Sequence, residues 1–262
     1  MRLKLQLNTP ENSIIDFNYH YSLSAAIYKR LRFGSAEFSS FLHDIGFVLK
    51  GKNYKLFTFA LKFRGKSVNG KYLNFVDNNI ILYISSPLID SFIKNFVSGS
   101  FTENSIIINS NGIETTFNIT QIESLPQPTF TNNMKFKMLS PLIVSTKQDN
   151  GLPYYFKFND DINEINRILN INLRNKYETI NNKNANDKEI KIQWDEEYLK
   201  RIRRPEDVTR LISIKPKHKP ECKYRANFLP FNISGDTSLI ATGYECGFGE
   251  KNSMGFGMAD TN

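Results

Sequence analysis

The sequence predicts an α+β protein built from two successive βαββαβ-like units. Three observations carry that reading. Residues 2–7 (RLKLQL) alternate polar and apolar with period two, residues 22–31 place an apolar side chain every fourth position, and a similar order of elements recurs after a polar, Pro-containing stretch at 124–133. Hydrophobic residues form 40% of the 262 positions and Phe alone contributes 21, enough to fill two small cores.

The first unit opens with the strand at 2–7. Leu23, Ile27 and Leu31 then mark a helix with one buried face, and residues 36–43 a second, short helix after Gly34. Residues 54–61 are rich in aromatics and predict a strand. Residues 72–75 and 80–84, joined through Asp77-Asn78-Asn79, predict a hairpin. Pro87 opens a helix with Leu88, Ile89, Phe92, Ile93 and Phe96 on its apolar face, and residues 113–122 form the next strand. The expected division is a domain over 1–124, a linker over 125–133 and a second domain over 134–262.

In the second unit, residues 135–144, interrupted by Pro141, predict a strand pair. Ile162, Ile165, Leu169 and Leu173 form a helical stripe, and the Asn-rich 181–187 a solvated loop. Residues 208–214 and 224–233 predict strands around a basic turn at 215–223. A short helix follows Ser234, capped by Ser234 or Asp236. A glycine-rich segment and a final strand close the chain. The order matches tandem ferredoxin-like (RRM-like) domains, with one larger mixed sheet as the rival.

The net charge of +8 and pI of about 9.3 favour a polyanionic partner, nucleic acid first and an anionic membrane surface second. The excess is concentrated: residues 198–225 hold ten Lys or Arg against three acids. Arg201, Arg203, Arg204, Arg210, Lys215, Lys217, Lys219, Lys223 and Arg225 suit a surface that tracks phosphates, and Tyr224 and Phe228 offer stacking faces. For any one of these residues a solvated charge is the simpler explanation; the cluster carries the argument. Cys222 and Cys246 are expected to be free thiols in a reducing compartment. The N-terminus does not read as a signal peptide and no run is long enough to span a membrane, so a cytoplasmic location is expected. Asp160-Asp161 and Asp195-Glu196-Glu197 are explained as helix starts, and no HxxH or paired CxxC occurs; neither metal nor cofactor is expected.

The most specific stretch is 243–258 (GYECGFGEKNSMGFGM), with glycines at 243, 247, 249, 255 and 257. Successive backbone N–H groups in such a loop can cradle phosphate oxygens, with Lys251 and Ser253 adding contacts; a kinked loop that only packs explains it equally well. It is neither a Walker A loop nor a dinucleotide fingerprint, because Gly-Lys-Ser/Thr is missing and Asn252 occupies the third glycine position. The segment closely resembles the C-terminal signature of the CRISPR-associated repeat-RNA endoribonucleases, the sixth-numbered Cas family of the RAMP superfamily. Residues 18–28 (NYHYSLSAAIY) resemble that family's first helix, and Phe41-Leu42-His43 and 54–59 (YKLFTF) its next landmarks.

The resemblance implies two ferredoxin-like domains and cleavage of precursor CRISPR RNA within each repeat. It also implies metal-free chemistry that leaves a 2′,3′-cyclic phosphate and a 5′-hydroxyl. CRISPR repeat RNA is the implied partner, together with other CRISPR-associated proteins of an effector complex, and the chain would be a monomer or homodimer. An inactive subunit that only holds repeat RNA is the competing reading. Where the family uses a Tyr–His–Lys set, the matching positions are Tyr28, His43 and Lys55. The connection from His43 to Lys55 is longer than the pattern, so Lys50 and Lys52 rival Lys55. His43 would transfer a proton as acid or base, Tyr28 would share that task or position the 2′-hydroxyl, and Lys55 would stabilise developing charge. Gly247, Gly249, Lys251, Ser253, Gly255 and Gly257 would lie against the RNA backbone. His20 is expected to be structural, with RNA contact as the alternative, and His218 to meet solvent or phosphate.

Overall fold

The computed structural model describes residues 1–214 and 221–261. The first unit consists of β1 (Arg2–Asn8), α1 (His20–Gly34), α2 (Ala36–Asp44), β2 (Thr58–Lys62), β3 (Ile80–Ser85), α3 (Lys94–Thr102), β4 (Ser105–Ser110) and β5 (Ile113–Leu125). Its sheet runs β2-β3-β1-β5-β4, antiparallel throughout, with Leu5 opposite both Leu82 and Ile122. Leu3, Leu5 and Leu7 alternate into a core completed by Leu23, Ile27 and Leu31 of α1 and by Phe92 and Phe96. Each of these apolar side chains contributes about 1.5–3 kcal/mol by leaving water.

The second unit consists of β6 (Asn133–Met138), α4 (Ile162–Asn181), β7 (Ile190–Trp194), α5 (Glu196–Arg201), β8 (Thr209–Ile214), β9 (Cys222–Asn227), β10 (Phe231–Gly235), α6 (Thr237–Cys246) and β11 (Ala259–Thr261). Its sheet runs β7-β10-β6-β11, and β8 and β9 form a separate hairpin inserted between β7 and β10. Both sheets carry the strand order of a ferredoxin-like domain, so the single mixed sheet is excluded. The free edge of β7 is covered by α4. Asn170 exchanges side-chain hydrogen bonds with the backbone N–H and C=O of Ile190, and Asn166 does the same with Ile192. These amides replace a neighbouring strand and close the edge to further pairing.

The two units join at several points, including the start of the chain. The Arg2 guanidinium is 1% exposed, donates to the carbonyls of Tyr244 and Ala259 at 3.0 and 2.8 Å, and lies 3.7 Å from the Tyr244 ring centroid. Burial lowers the affinity of Arg2 for its proton, opposed by Tyr244 and Asp260. The Met1 ammonium reaches the Glu245 carboxylate at 2.9 Å, and Thr58 Oγ1 donates to the Phe256 carbonyl.

Several local expectations are corrected. The strand Tyr72–Phe75 does not pair with β3; it pairs with Ile14–Asp16 and Gly65–Val68. Almost every residue of β3 is buried, which suits the sheet interior, whereas Tyr72–Phe75 is half-buried throughout and suits an outer ribbon. The expected strand at 54–61 breaks where Leu56 takes φ +52°; Lys52–Tyr54 pairs with Phe47–Leu49, and β2 begins only at Thr58. No strand pair forms over 135–144: β6 ends at Met138, and Leu142 instead bridges Asn227. Pro230, which lacks an N–H, falls between β9 and β10 and splits the strand expected over 224–233. Asp236 rather than Ser234 caps α6, accepting from the N–H groups of Ser238 and Leu239. The Asn-rich loop is not wholly solvated, because Ala185 is fully buried. β4 and β7 were not anticipated. β5 ends at Leu125 and β6 begins at Asn133, bracketing the expected linker.

Candidate functional site

The helices α1 and α2 fold back on each other at Ser35. That residue is extended, ends α1, and accepts from the Phe38 N–H to cap α2. Ser39 Oγ then donates to the Tyr28 carbonyl at 2.9 Å, clamping α2 against α1. His43, on the last turn of α2, thereby meets Tyr28: the ring centroids are 5.2 Å apart and the planes 87° inclined. Tyr28, Lys29, Arg32, Ser39, Ser40, His43 and Asp44 enclose an open cavity of about 270 Å³. His43 is 67% exposed, and its Nδ1 lies 2.8 Å from Asp44 Oδ1, which leaves Nε2 for an incoming molecule.

Lys55 is near this pair but is turned toward the backbone. Its Nζ donates to the His43 carbonyl at 2.8 Å, and burial holds its ammonium below the usual lysine value, opposed by Asp44. Lys50 is directed elsewhere, to Glu178 Oε2 at 2.7 Å on α4. Lys52 is exposed on Lys52–Tyr54. None of the three lines the cavity. Burial also pushes the Tyr28 phenol well above its ordinary value, opposed by a hydrogen bond with Ser253. Tyr28 therefore keeps its proton at neutral pH.

The glycine-rich loop is largely packed into the protein. Phe248 N–H donates to Gly257 O, Glu250 N–H to Ile143 O, Gly257 N–H to Pro141 O, and Met258 N–H to Ser140 Oγ. Two glycines are required by close approach: a Cβ on Gly249 would lie 2.2 Å from Ile143 O, and one on Gly257 1.9 Å from Phe248 O, both at positive φ. At the centre of the loop, the ammonium of Lys176, only 3% exposed, donates to Gly247 O, Gly249 O and Asn252 Oδ1 at 2.7, 2.8 and 2.7 Å. Asn252 in turn donates to the carbonyls of Phe248 and Phe256. Burial pushes the Lys176 ammonium down to about 8, opposed by Cys246 and Glu250. The loop's next residue, Ser253, reaches α1: its carbonyl accepts from Ser24 Oγ at 2.7 Å and its side chain meets Tyr28. Lys251 stays exposed, 5.8 Å above the Tyr224 ring.

The basic segment divides into parts. Arg201, Arg203 and Arg204 are exposed around α5, with Arg204 paired to Asp207. In the β8–β9 hairpin, Lys223 and Arg225 alternate outward beside Ser213 and Leu211, while Ile212, Ile214 and Ala226 turn inward. Lys223 approaches Glu221 at 3.8 Å. Arg210 lies over Phe228 with 4.4 Å between guanidinium and ring centroid. Lys215, Lys217, His218 and Lys219 fall outside the described residues. His20 is buried between Tyr19 and Phe256, with centroids 4.6 and 5.0 Å away, and burial pushes it down to about 4. It is a packing residue, as anticipated. Asp161 and Asp195 cap α4 and α5, and Asp195 also pairs with Lys135.

Sequence reasoning missed Lys176, Asn252 and Arg32. The first had a signal: Lys176 continues the apolar stripe Ile165–Leu169–Leu173 at helical spacing, and a cation on a buried stripe requires acceptors.

Comparison with known proteins identifies the family. Residues 125–261 match the family profile described as CRISPR associated protein Cas6, C-terminal, and residues 14–121 that described as CRISPR-associated protein Cas6, N-terminal. A protein of Methanocaldococcus jannaschii named CRISPR-associated endoribonuclease Cas6 1 is 31% identical over 264 residues, covering 98% of this chain and 91% of that protein. A Pyrococcus furiosus protein named CRISPR-associated endoribonuclease Cas6 is 25% identical over 249 residues, covering 93% and 82%. A solved structure of a CRISPR associated protein Cas6 superposes with a TM-score of 0.73 at 30% identity, covering 100% of this chain and 99% of that one. The structure of a Cas6-related Pyrococcus furiosus protein gives 0.79 at 22% identity, covering 100% and 98%, a likeness of fold. Two profiles that together span most of the chain, and a relative above 30% identity over almost its full length, show that this chain belongs to the Cas6 family of CRISPR-associated proteins.

Proposed function

We propose that the chain is an endoribonuclease that cleaves CRISPR repeat RNA in precursor transcripts. The 2′-hydroxyl of the RNA attacks the adjacent phosphate, without a metal ion, leaving a 2′,3′-cyclic phosphate and a 5′-hydroxyl. The observation that carries this reading is the meeting of Tyr28 and His43 across one open cavity. The endoribonuclease names of the relatives support the same activity.

The chemistry needs an aligned nucleophile, proton transfer and stabilised negative charge. His43 Nε2 moves the proton, with Asp44 holding the opposite nitrogen. Tyr28, protonated, donates a hydrogen bond that positions the RNA. RNA reaches the cavity across the exposed cations of α5 and of the β8–β9 hairpin, and across Lys251 and Ser253 at the end of the glycine-rich loop. Gly247, Gly249, Gly255 and Gly257 shape that loop so that Ser253 touches Tyr28.

The test is incubation of the protein with a repeat RNA in excess chelator, followed by analysis of the product ends. Cleavage with cyclic phosphate at the upstream product supports the reading. Tight binding with no cleavage in chelator or in added divalent metal would assign the chain to RNA binding alone.

A further inference from the structure

We propose that Arg32 is the cation that contacts the scissile phosphate. The inference rests on the endoribonuclease reading and adds to it a residue outside the Tyr–His–Lys set.

Arg32 follows Tyr28 by four residues on α1, so the two side chains share a helix face. Both line the cavity that also holds His43. Arg32 is exposed and, among the described residues, makes no ion pair or hydrogen bond. The other cation of that wall, Lys29, is directed at Glu103 at 3.7 Å. Lys55 is engaged by the His43 carbonyl and Lys50 by Glu178, and neither lines the cavity. Lys55 therefore serves as a positioning residue that fixes the end of α2, and hence the His43 ring.

The residue type suits the position. A guanidinium presents parallel N–H groups that match two non-bridging phosphate oxygens, and it stays charged throughout the reaction. In the step itself, the 2′-hydroxyl loses its proton, the bond from the 2′-oxygen to phosphorus forms, the bond from phosphorus to the 5′-oxygen breaks, and the 5′-oxygen takes up a proton. Negative charge builds on the non-bridging oxygens meanwhile. Arg32 exchanges no proton and supplies charge and hydrogen bonds where that charge grows.

The experiment compares wild type, Arg32→Ala, Arg32→Lys and Lys55→Met in single-turnover cleavage and in RNA affinity. Each protein receives a repeat RNA with a normal scissile phosphate and the two phosphorothioate diastereomers. Arg32→Ala should cut the normal RNA roughly 10²–10³-fold more slowly with nearly unchanged affinity. Arg32→Lys should recover part of the rate. Sulfur in one diastereomer should slow wild type and Lys55→Met but have little further effect on Arg32→Ala. A wild-type rate in Arg32→Ala, equal loss of its rate and affinity, or an undiminished sulfur effect in it would overturn the assignment. So would the absence of any sulfur effect in wild type. Failure of wild type to cut the normal RNA would instead reject the endoribonuclease reading, and Arg32 with it.

Discussion

The imidazole of His43 and the phenol ring of Tyr28 meet nearly at right angles, with centroids 5.2 Å apart. The two residues come from different helices and meet because Ser35 ends one helix and caps the next. Such a ring contact contributes about 0.5–1.5 kcal/mol, enough to bias the orientation of an otherwise exposed His43. His43→Ala should slow cleavage by roughly 10²–10⁴-fold while leaving RNA affinity nearly unchanged. Single-turnover kinetics under saturating protein measure this, and an unaltered rate would remove His43 from the chemistry.

Lys176 joins α4 to the glycine-rich loop through three acceptors. Lys176→Met would leave Gly247 O, Gly249 O and Asn252 Oδ1 buried without that donor, and should lower stability by roughly 3 kcal/mol. Urea denaturation gives the difference. Because Ser253 follows Asn252 and touches Tyr28, the remaining folded fraction should also cut more slowly. A variant as stable and as active as wild type would show that the buried ammonium does not organise the loop.

His20 provides a pH dependence of known sign. Its folded value of about 4 lies below the ordinary 6.5, so the unfolded chain takes up the proton first as pH falls. The stability it contributes is complete above about 6.5 and is lost progressively toward 4. Between pH 7 and pH 5 the loss from this one residue is about 2 kcal/mol. His20→Phe keeps an aromatic ring between Tyr19 and Phe256 and should remove that part of the acid sensitivity. Denaturant titrations at the two pH values test it; identical pH slopes in both proteins would contradict a neutral, buried His20.

If the basic residues between 215 and 225 track the RNA backbone as proposed, binding should depend on salt through them. Joint neutralisation of Lys215, Lys217, Lys219 and Lys223 should weaken RNA affinity and flatten its logarithmic dependence on salt by roughly 0.7 for each phosphate that is no longer neutralised. Affinities measured over a salt series check this. An unchanged affinity and slope would place the RNA path away from these four lysines.

The sequence made the two βαββαβ units legible because their apolar periodicity is strong: Leu3, Leu5 and Leu7 alternate, and Leu23, Ile27 and Leu31 recur at helical spacing. Pairing between strands was less legible. Tyr72–Phe75 and Ile80–Ser85 look like partners locally, but burial sends one to an outer ribbon and the other to the sheet interior. At the candidate site, the types Tyr28 and His43 could be named from motif resemblance, while the direction of Lys55 could not. That direction depends on the positive φ at Leu56 and the turn through Gly46, which bring its ammonium beneath the end of α2. The glycines at 249 and 257 advertised a special backbone, but only the neighbouring carbonyls of Ile143 and Phe248 reveal that the need is close packing.

In the proposed reaction the RNA supplies its own nucleophile. The most direct measurement uses a matched pair of repeat RNAs, identical except that one lacks the 2′-hydroxyl at the nucleotide upstream of the cut. Both are incubated with the protein in excess chelator, and cleavage and binding are followed together. One hydroxyl contributes little beside many phosphate and base contacts, so both RNAs should bind. The all-RNA substrate should be cut and the deoxy substrate held intact. Cleavage of the deoxy substrate, or all-RNA cleavage that disappears in chelator and returns with added divalent metal, would contradict it.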